Sequence, residues 1–344
     1  MYPGNIVLFS IHYIILGSFL KRTCIHLLKK HLTMQNTSTS AEYGFMQFLK
    51  GKALFILFLF PVLALHAQTQ FPVKVGENPE SITKGFNDNY YVTIMNGNVD
   101  GDGEVAEISQ NGVKVFAKGF DQPKGIAFLD GHLYFSDVTR VWKVDKDGNA
   151  SVFATKDDFP EEVLYLNDVS SDADGKGIYV ADMGDTKYMR DENGALWPLD
   201  SEQAKLIPQV GRIYHIDLNG TVTIAQDTSP LMTNPNGVGI DNDGNIMVGA
   251  FFQGNFLVTR NGKLTPLKGR FRGADGVEQD SRGNYYVSSW VQGKVWKIDG
   301  KTEEATVLMD GLKSAADFYL EEDKGRLLLP DMLAGMIYAV DIDK

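Results

Sequence analysis

The chain has 344 residues, 43% of them hydrophobic and 22% charged, an ordinary globular composition that suffices for one large domain or two modest ones. Its formal net charge of −11 repels phosphate backbones and anionic membranes, which excludes nucleic acid as a natural partner and favours cations. Thirty-five glycines and an 11% aromatic share favour many short strands joined by tight turns, hence an all-β chain.

The first 67 residues stand apart. The run Ala53 to Ala67 follows Lys50 and Lys52, is apolar, and ends in the small residues Ala64 and Ala67. A basic stretch, an apolar stretch and a small residue at the cut describe a secretory signal. The run is shorter than the roughly 20 residues a membrane-spanning helix needs and contains Pro61, so cleavage near Ala67 is expected and no membrane attachment thereafter. Met34 or Met46 is then the expected start. This predicts a removed region 1–67, with the signal at about 46–67, and a secreted or periplasmic domain spanning 68–344. Residues 1–67 hold six Lys/Arg and one acid, so the remainder carries 27 basic and 43 acidic residues. The only cysteine, Cys24, is lost with the signal, which leaves neither a disulfide nor a thiol nucleophile.

From residue 68 onward one pattern recurs six times. A turn and an alternating strand appear as NDNYYVTIM, DGHLYFSD, GKGIYVAD, DGNIMVGA, RGNYYVSS and KGRLLLPD. A second strand follows each: GEVAEIS, TRVWKVDKDG, GRIYHIDLNG, GNFLVTRNG, GKVWKIDG and GMIYAVDID. Alternation with glycine turns marks antiparallel hairpins, and six units of about 40 to 46 residues match four-stranded blades. The expected fold is an all-β six-bladed β-propeller with four-stranded blades around a central channel.

A short landmark precedes each unit: PESI, PKGIAF, LNDVSS, PNGVGI, ADGVEQ and AADFYL. It reads as the start of each innermost strand. Its second position is Glu80, Lys124, Asn167, Asn236, Asp275 and Ala316 in turn, and one repeat position in a propeller forms a ring about the axis. Glu80, Asn167, Asn236 and Asp275 offer only hard oxygens, a set that suits Ca2+, with Zn2+, Mn2+ or Mg2+ as alternatives. Singly, Asn and Asp in such places are ordinary turn residues; their shared register in four blades favours a metal site.

This pattern resembles the regucalcin (senescence marker protein)/gluconolactonase family of six-bladed calcium propellers, over essentially all of 68–344. The resemblance implies that Glu80, the Asn of N-D (Asn167), the Asn of P-N-G (Asn236) and the Asp of D-G (Asp275) hold the cation. It also implies that Asp275 serves as general base or nucleophile. The implied function is calcium-dependent hydrolysis of a lactone or related ester, a small-molecule substrate; the alternative is a non-catalytic calcium-stabilised propeller that binds carbohydrate or protein. The third possibility, a lyase or synthase of the strictosidine synthase-like kind, rests on the shared fold alone. Only His132 and His215 remain after cleavage, both in repeat turns or strands, so a histidine-dyad mechanism is not expected. Lys124 departs from the pattern: it either turns away to solvent or holds an anionic substrate.

One spacing, from Asn167 to Asn236, is 69 residues against 39 to 44 elsewhere. The excess, roughly 184–209, belongs to a second-to-third-strand loop on the face of the ring and is either a lid or a surface insertion packing its own apolar residues. Trp197 within it, with Phe251, Phe252 and Trp290 after second strands, is expected to wall a substrate pocket with Lys124. Asp168, beside Asn167, is expected to support that ligand. The GNVDGDGE loop at 97–104 lacks the bidentate Glu of a calcium-binding hand, with Ser109 in its place, and reads as a solvated turn. The number of subunits is not legible in the sequence.

Overall fold

The computed structural model describes residues 70–97 and 99–343. The expected export signal lies outside them. The described residues form six four-stranded antiparallel sheets. Their strands are β2–β5 (Pro79–Lys84, Tyr90–Ile94, Gly103–Ser109, Gly112–Phe120) in blade 1 and β6–β9 (Pro123–Leu129, His132–Asp137, Arg140–Val144, Ala150–Ala154) in blade 2. Blade 3 has β10–β13 (Leu166–Ser171, Gly177–Asp182, Arg212–Asp217, Val222–Gln226) and blade 4 has β14–β17 (Pro235–Ile240, Ile246–Ala250, Asn255–Arg260, Lys263–Pro266). Blade 5 has β18–β21 (Ala274–Gln279, Tyr285–Ser289, Lys294–Ile298, Ala305–Met309), and blade 6 has β22–β24 (Tyr319–Glu321, Arg326–Asp331, Met336–Asp341).

The fourth strand of blade 6 comes from the other end of the chain. β1 (Val73–Lys74) pairs Val73 with Ile337 and Lys74 with Met336, and the Val75 N–H donates to the Gly335 carbonyl at 3.1 Å. This closure stitches the ring and removes two strand edges at once.

Both faces of most blades are apolar because each blade packs a neighbour on either side. In β3, Tyr90, Val92 and Ile94 join Leu328 and Ile337 of blade 6, whereas Tyr91 joins Ile126 and Phe135 of blade 2. Comparable cores fill the other four seams. That two-sided burial explains why strands such as YYVTI read as continuous hydrophobic runs rather than strict alternations.

The innermost strands share one irregularity. In blade 1 the pairs Pro79–Ile94 and Ile82–Val92 leave Glu80 and Ser81 opposite Thr93 alone. The same two-against-one bulge falls at Lys124–Gly125, Asn167–Asp168, Asn236–Gly237 and Asp275–Gly276. In blade 6 it lies between the Ala315–Asp331 bridge and the Tyr319–Leu328 pair. A bulge re-aims side chains and frees backbone from the ladder, and here it does so at the ring position of every blade.

Candidate metal centre

The residue that follows each ring position governs how closely neighbouring inner strands approach. A Cβ on Gly237 would sit 1.8 Å from the Asp275 carbonyl oxygen, and one on Gly125 would sit 2.4 Å from the Asp168 Cα. The glycine of the P-x-G landmark is therefore a requirement of contact between blades. Where the residue is not glycine, it bonds across the seam. Asp168 accepts from the Val238 N–H and from its neighbour Val169, both at 2.7 Å; Asp317 accepts from the Ser81 hydroxyl. The Ser81 hydroxyl in turn accepts from the Ile126 N–H at 3.3 Å. Hydroxyls opposite the bulges take up freed carbonyls of the next blade: Ser136 donates to Asn167 O, and Ser288 donates to Ala316 O at 2.8 Å.

On this frame Glu80, Lys124, Asn167, Asn236 and Asp275 are all buried. Glu80 Oε2, Asn236 Oδ1 and Asp275 Oδ1 are shut off from solvent and have no hydrogen-bond partner. Orphaned buried oxygens are costly, and three at one register are what a hard cation would satisfy. Burial raises the Asp275 carboxyl well above the usual range, as do the nearby charges of Glu80 and Asp317, against the opposing pull of Lys124 and the Asn236 amide. Burial likewise raises Glu80, with Lys124 opposing, and raises Asp168, further lifted by Glu80 and Asp275 though opposed by its backbone N–H bonds. Asn167 directs its Nδ2 to the Met183 Sδ at 3.0 Å. Among the described residues no group of three or more His, Cys, Asp or Glu is arranged to hold a metal ion; the ring offers two carboxylates, Glu80 and Asp275, and two amides, Asn167 and Asn236. The residues present fit a hard divalent cation.

Lys124 does not turn away to solvent. It is buried in the ring, its Nζ 3.2 Å from the Met95 Sδ and 5.1 Å from the Tyr165 ring centroid. Burial works against its charge, but Tyr165, Glu80 and Asp275 outweigh it and hold the ammonium above its ordinary range. The alternation pattern could not show this, because the bulge breaks the register from which side-chain direction is read.

Trp197, Phe251, Phe252 and Trp290 gather into one cluster with Met183, Met189, Leu196 and Ile207. Phe251 and Phe252 are buried rather than open to a pocket, because the insertion lies on them. The insertion folds through two short helical turns, Thr186–Met189 and Glu202–Lys205, and an Arg190–Leu196 bridge. It therefore packs against blades 4 and 5 and does not merely bury its own residues. Asp137, Asp182 and Asp331, each at the end of a second strand, hold the loop that enters the inner strand of their own blade, accepting respectively from Gln122 N at 2.6 Å, Tyr165 N at 2.9 Å and Ser314 N at 3.0 Å. His132 and His215 are engaged locally, with the Asp130 carbonyl and the Asp172 carboxylate.

Residues 90–250 match the family model described as the SMP-30/gluconolactonase/LRE-like region, which bears out the resemblance over that part of the chain. It spans Asn167 and Asn236 but neither Glu80 nor Asp275. No curated protein matches the sequence significantly. A putative gluconolactonase structure superposes with a TM-score of 0.57 at 14% identity, over 80% of this chain and 94% of that one. A gluconolactonase of Xanthomonas campestris gives 0.53 at 16% identity, over 79% and 98%. The virginiamycin B lyase of Staphylococcus aureus gives 0.51 at 12% identity, over 76% and 79%. At such identities these likenesses show the propeller fold.

Proposed function

We propose that the protein is a cation-dependent hydrolase of a lactone or related ester. The observation that supports it most is the set of orphaned buried oxygens on Glu80, Asn236 and Asp275 at the ring. The family match and the gluconolactonase neighbours favour the same reading. Glu80, Asn167, Asn236 and Asp275 would hold a calcium ion. Bound there, the ion would supply Lewis acidity toward an ester carbonyl.

Asp275 would take a proton from the attacking water as the water oxygen bonds to the carbonyl carbon. As the ring C–O bond breaks, the same carboxyl returns that proton to the departing alkoxide. Asp168 keeps β14, and with it Asn236, at the correct distance by gripping the Val238 N–H. Asp275→Asn is expected to lower turnover on the order of a thousandfold while the protein stays folded. A panel of lactones, aryl esters and phosphotriesters assayed with calcium tests the reading, which fails if none is hydrolysed.

The second reading is a non-catalytic propeller whose cation only knits the blades. The bonds of Asp168 and Asp317 across the seams favour it. Under it, chelation lowers the melting temperature and no substrate is turned over. Export beyond the cytoplasm belongs to the proposal too, and amino-terminal sequencing of the protein recovered from periplasm or medium should begin just after Ala67.

A further inference from the structure

Eight arginines lie among the described residues, and five of them, Arg140, Arg212, Arg260, Arg282 and Arg326, pair with carboxylates. The three that do not are Arg190, Arg270 and Arg272. In a chain with 44 acidic residues to 33 basic ones, a shortage of carboxylates is no explanation. All three lie on the face to which the ring opens: Arg190 in the insertion that joins the second and third strands of blade 3, Arg270 and Arg272 in the loop that enters β18.

Arg190 and Arg272 share one apolar support. The Arg190 guanidinium lies 5.8 Å from the Phe251 ring and 5.5 Å from the Trp290 ring, and that of Arg272 lies 5.3 Å from the Phe252 ring. Arg190 donates to the Gly194 carbonyl at 2.8 Å and Arg272 to the Trp197 carbonyl, while the Arg272 Nε is buried with no partner. Burial with no compensating anion pulls both below the ordinary arginine range. The same cluster contains Met183, whose sulfur is 3.0 Å from the Asn167 amide of the ring. The cluster that carries the two guanidiniums thus also touches one residue of the candidate metal centre.

Two half-buried cations stacked on one aromatic patch, with donors unspent and no counter-charge, are arranged for an anion that arrives from outside. We infer that Arg190 and Arg272 form a carboxylate-binding subsite at the mouth of the ring, so that the substrate is a lactone bearing a carboxylate. This inference rests on the hydrolase reading for the word lactone, but the anion subsite itself does not depend on turnover.

Calorimetric titration of the purified, calcium-loaded protein with glucarate, a dicarboxylate, and with gluconate, its monocarboxylate counterpart, tests the subsite without any reaction. The wild-type protein is expected to bind glucarate at least tenfold more tightly. Arg190→Gln and Arg272→Gln should each remove most of that preference, and Arg190→Lys should retain part of it. If the two ligands bind alike, or if both glutamine variants keep the wild-type ratio while only their melting temperatures fall, the arginines are clamps for the insertion and the inference is overturned. If the preference depends on the arginines but no lactone of either charge is hydrolysed, the subsite stands and the hydrolase reading falls.

Discussion

Gly237 shows how much of this molecule is decided by a single hydrogen atom. Its neighbour across the seam, the Asp275 carbonyl, occupies the space where any side chain would begin. Gly237→Ala must push β14 and β18 apart, and with them Asn236 from Asp275. A loss of about 3 kcal/mol in chemical denaturation is expected, accompanied by weaker calcium binding. Asp168→Asn keeps the shape but weakens the grip on the Val238 N–H, and should cost about 1 to 2 kcal/mol. The two substitutions separate the roles of distance and of hydrogen bonding in holding the ring. Lys124 sits at the same scale and was not legible: its position in the repeat was plain, but not its direction. That direction follows from the bulge, which rotates a side chain inward irrespective of its charge, and from the Met95 and Tyr165 contacts that receive the ammonium.

At the level of strands, the inner-strand landmarks were readable because they combine two physical demands, a bulge and a close approach, that only a few residue types meet. The second and third strands were readable from turns and apolar runs. β1 was not, since two paired residues carry no periodicity. Its contribution is testable through Val75, whose N–H bonds the Gly335 carbonyl across the closure. Val75→Pro removes that donor without touching the ring, and should lower stability by about 1 to 3 kcal/mol in thermal or chemical denaturation, with calcium affinity unchanged. The insertion shows the opposite limit. Its length and face followed from the repeat, but its resting place on Phe251 and Phe252 depends on contacts distant in sequence.

For the molecule as a whole, the axis concentrates buried acids whose protons are held more tightly in the folded than in the unfolded chain. Glu80, Asp168, Asp275 and Asp317 are all raised, each chiefly by burial, and burial pushes Glu278 to about 7. With no cation bound, the folded state therefore keeps protons that the unfolded state has released. Its stability is greatest below the ordinary carboxylate range and falls as pH rises, for Glu278 between about 4.5 and 7. Melting temperatures measured with chelator should decline across that window, and calcium should flatten the curve by replacing protons at Glu80 and Asp275. A chelated protein whose melting temperature rises from pH 5 to 7 would contradict the assignment.

The closing pair Val73–Ile337 also sets an order of events in synthesis. The strand made first must wait for the strand made last, because its partner is 264 positions downstream. Five blades can form as the chain emerges, each from sequence-local hairpins, but the circle cannot shut until nearly every residue is free of the ribosome. Until then β1 and the half-made sixth blade stay unpaired. A chain interrupted anywhere before Met336 would be left with both edges open, and its expected fate is association with other chains rather than a smaller stable propeller.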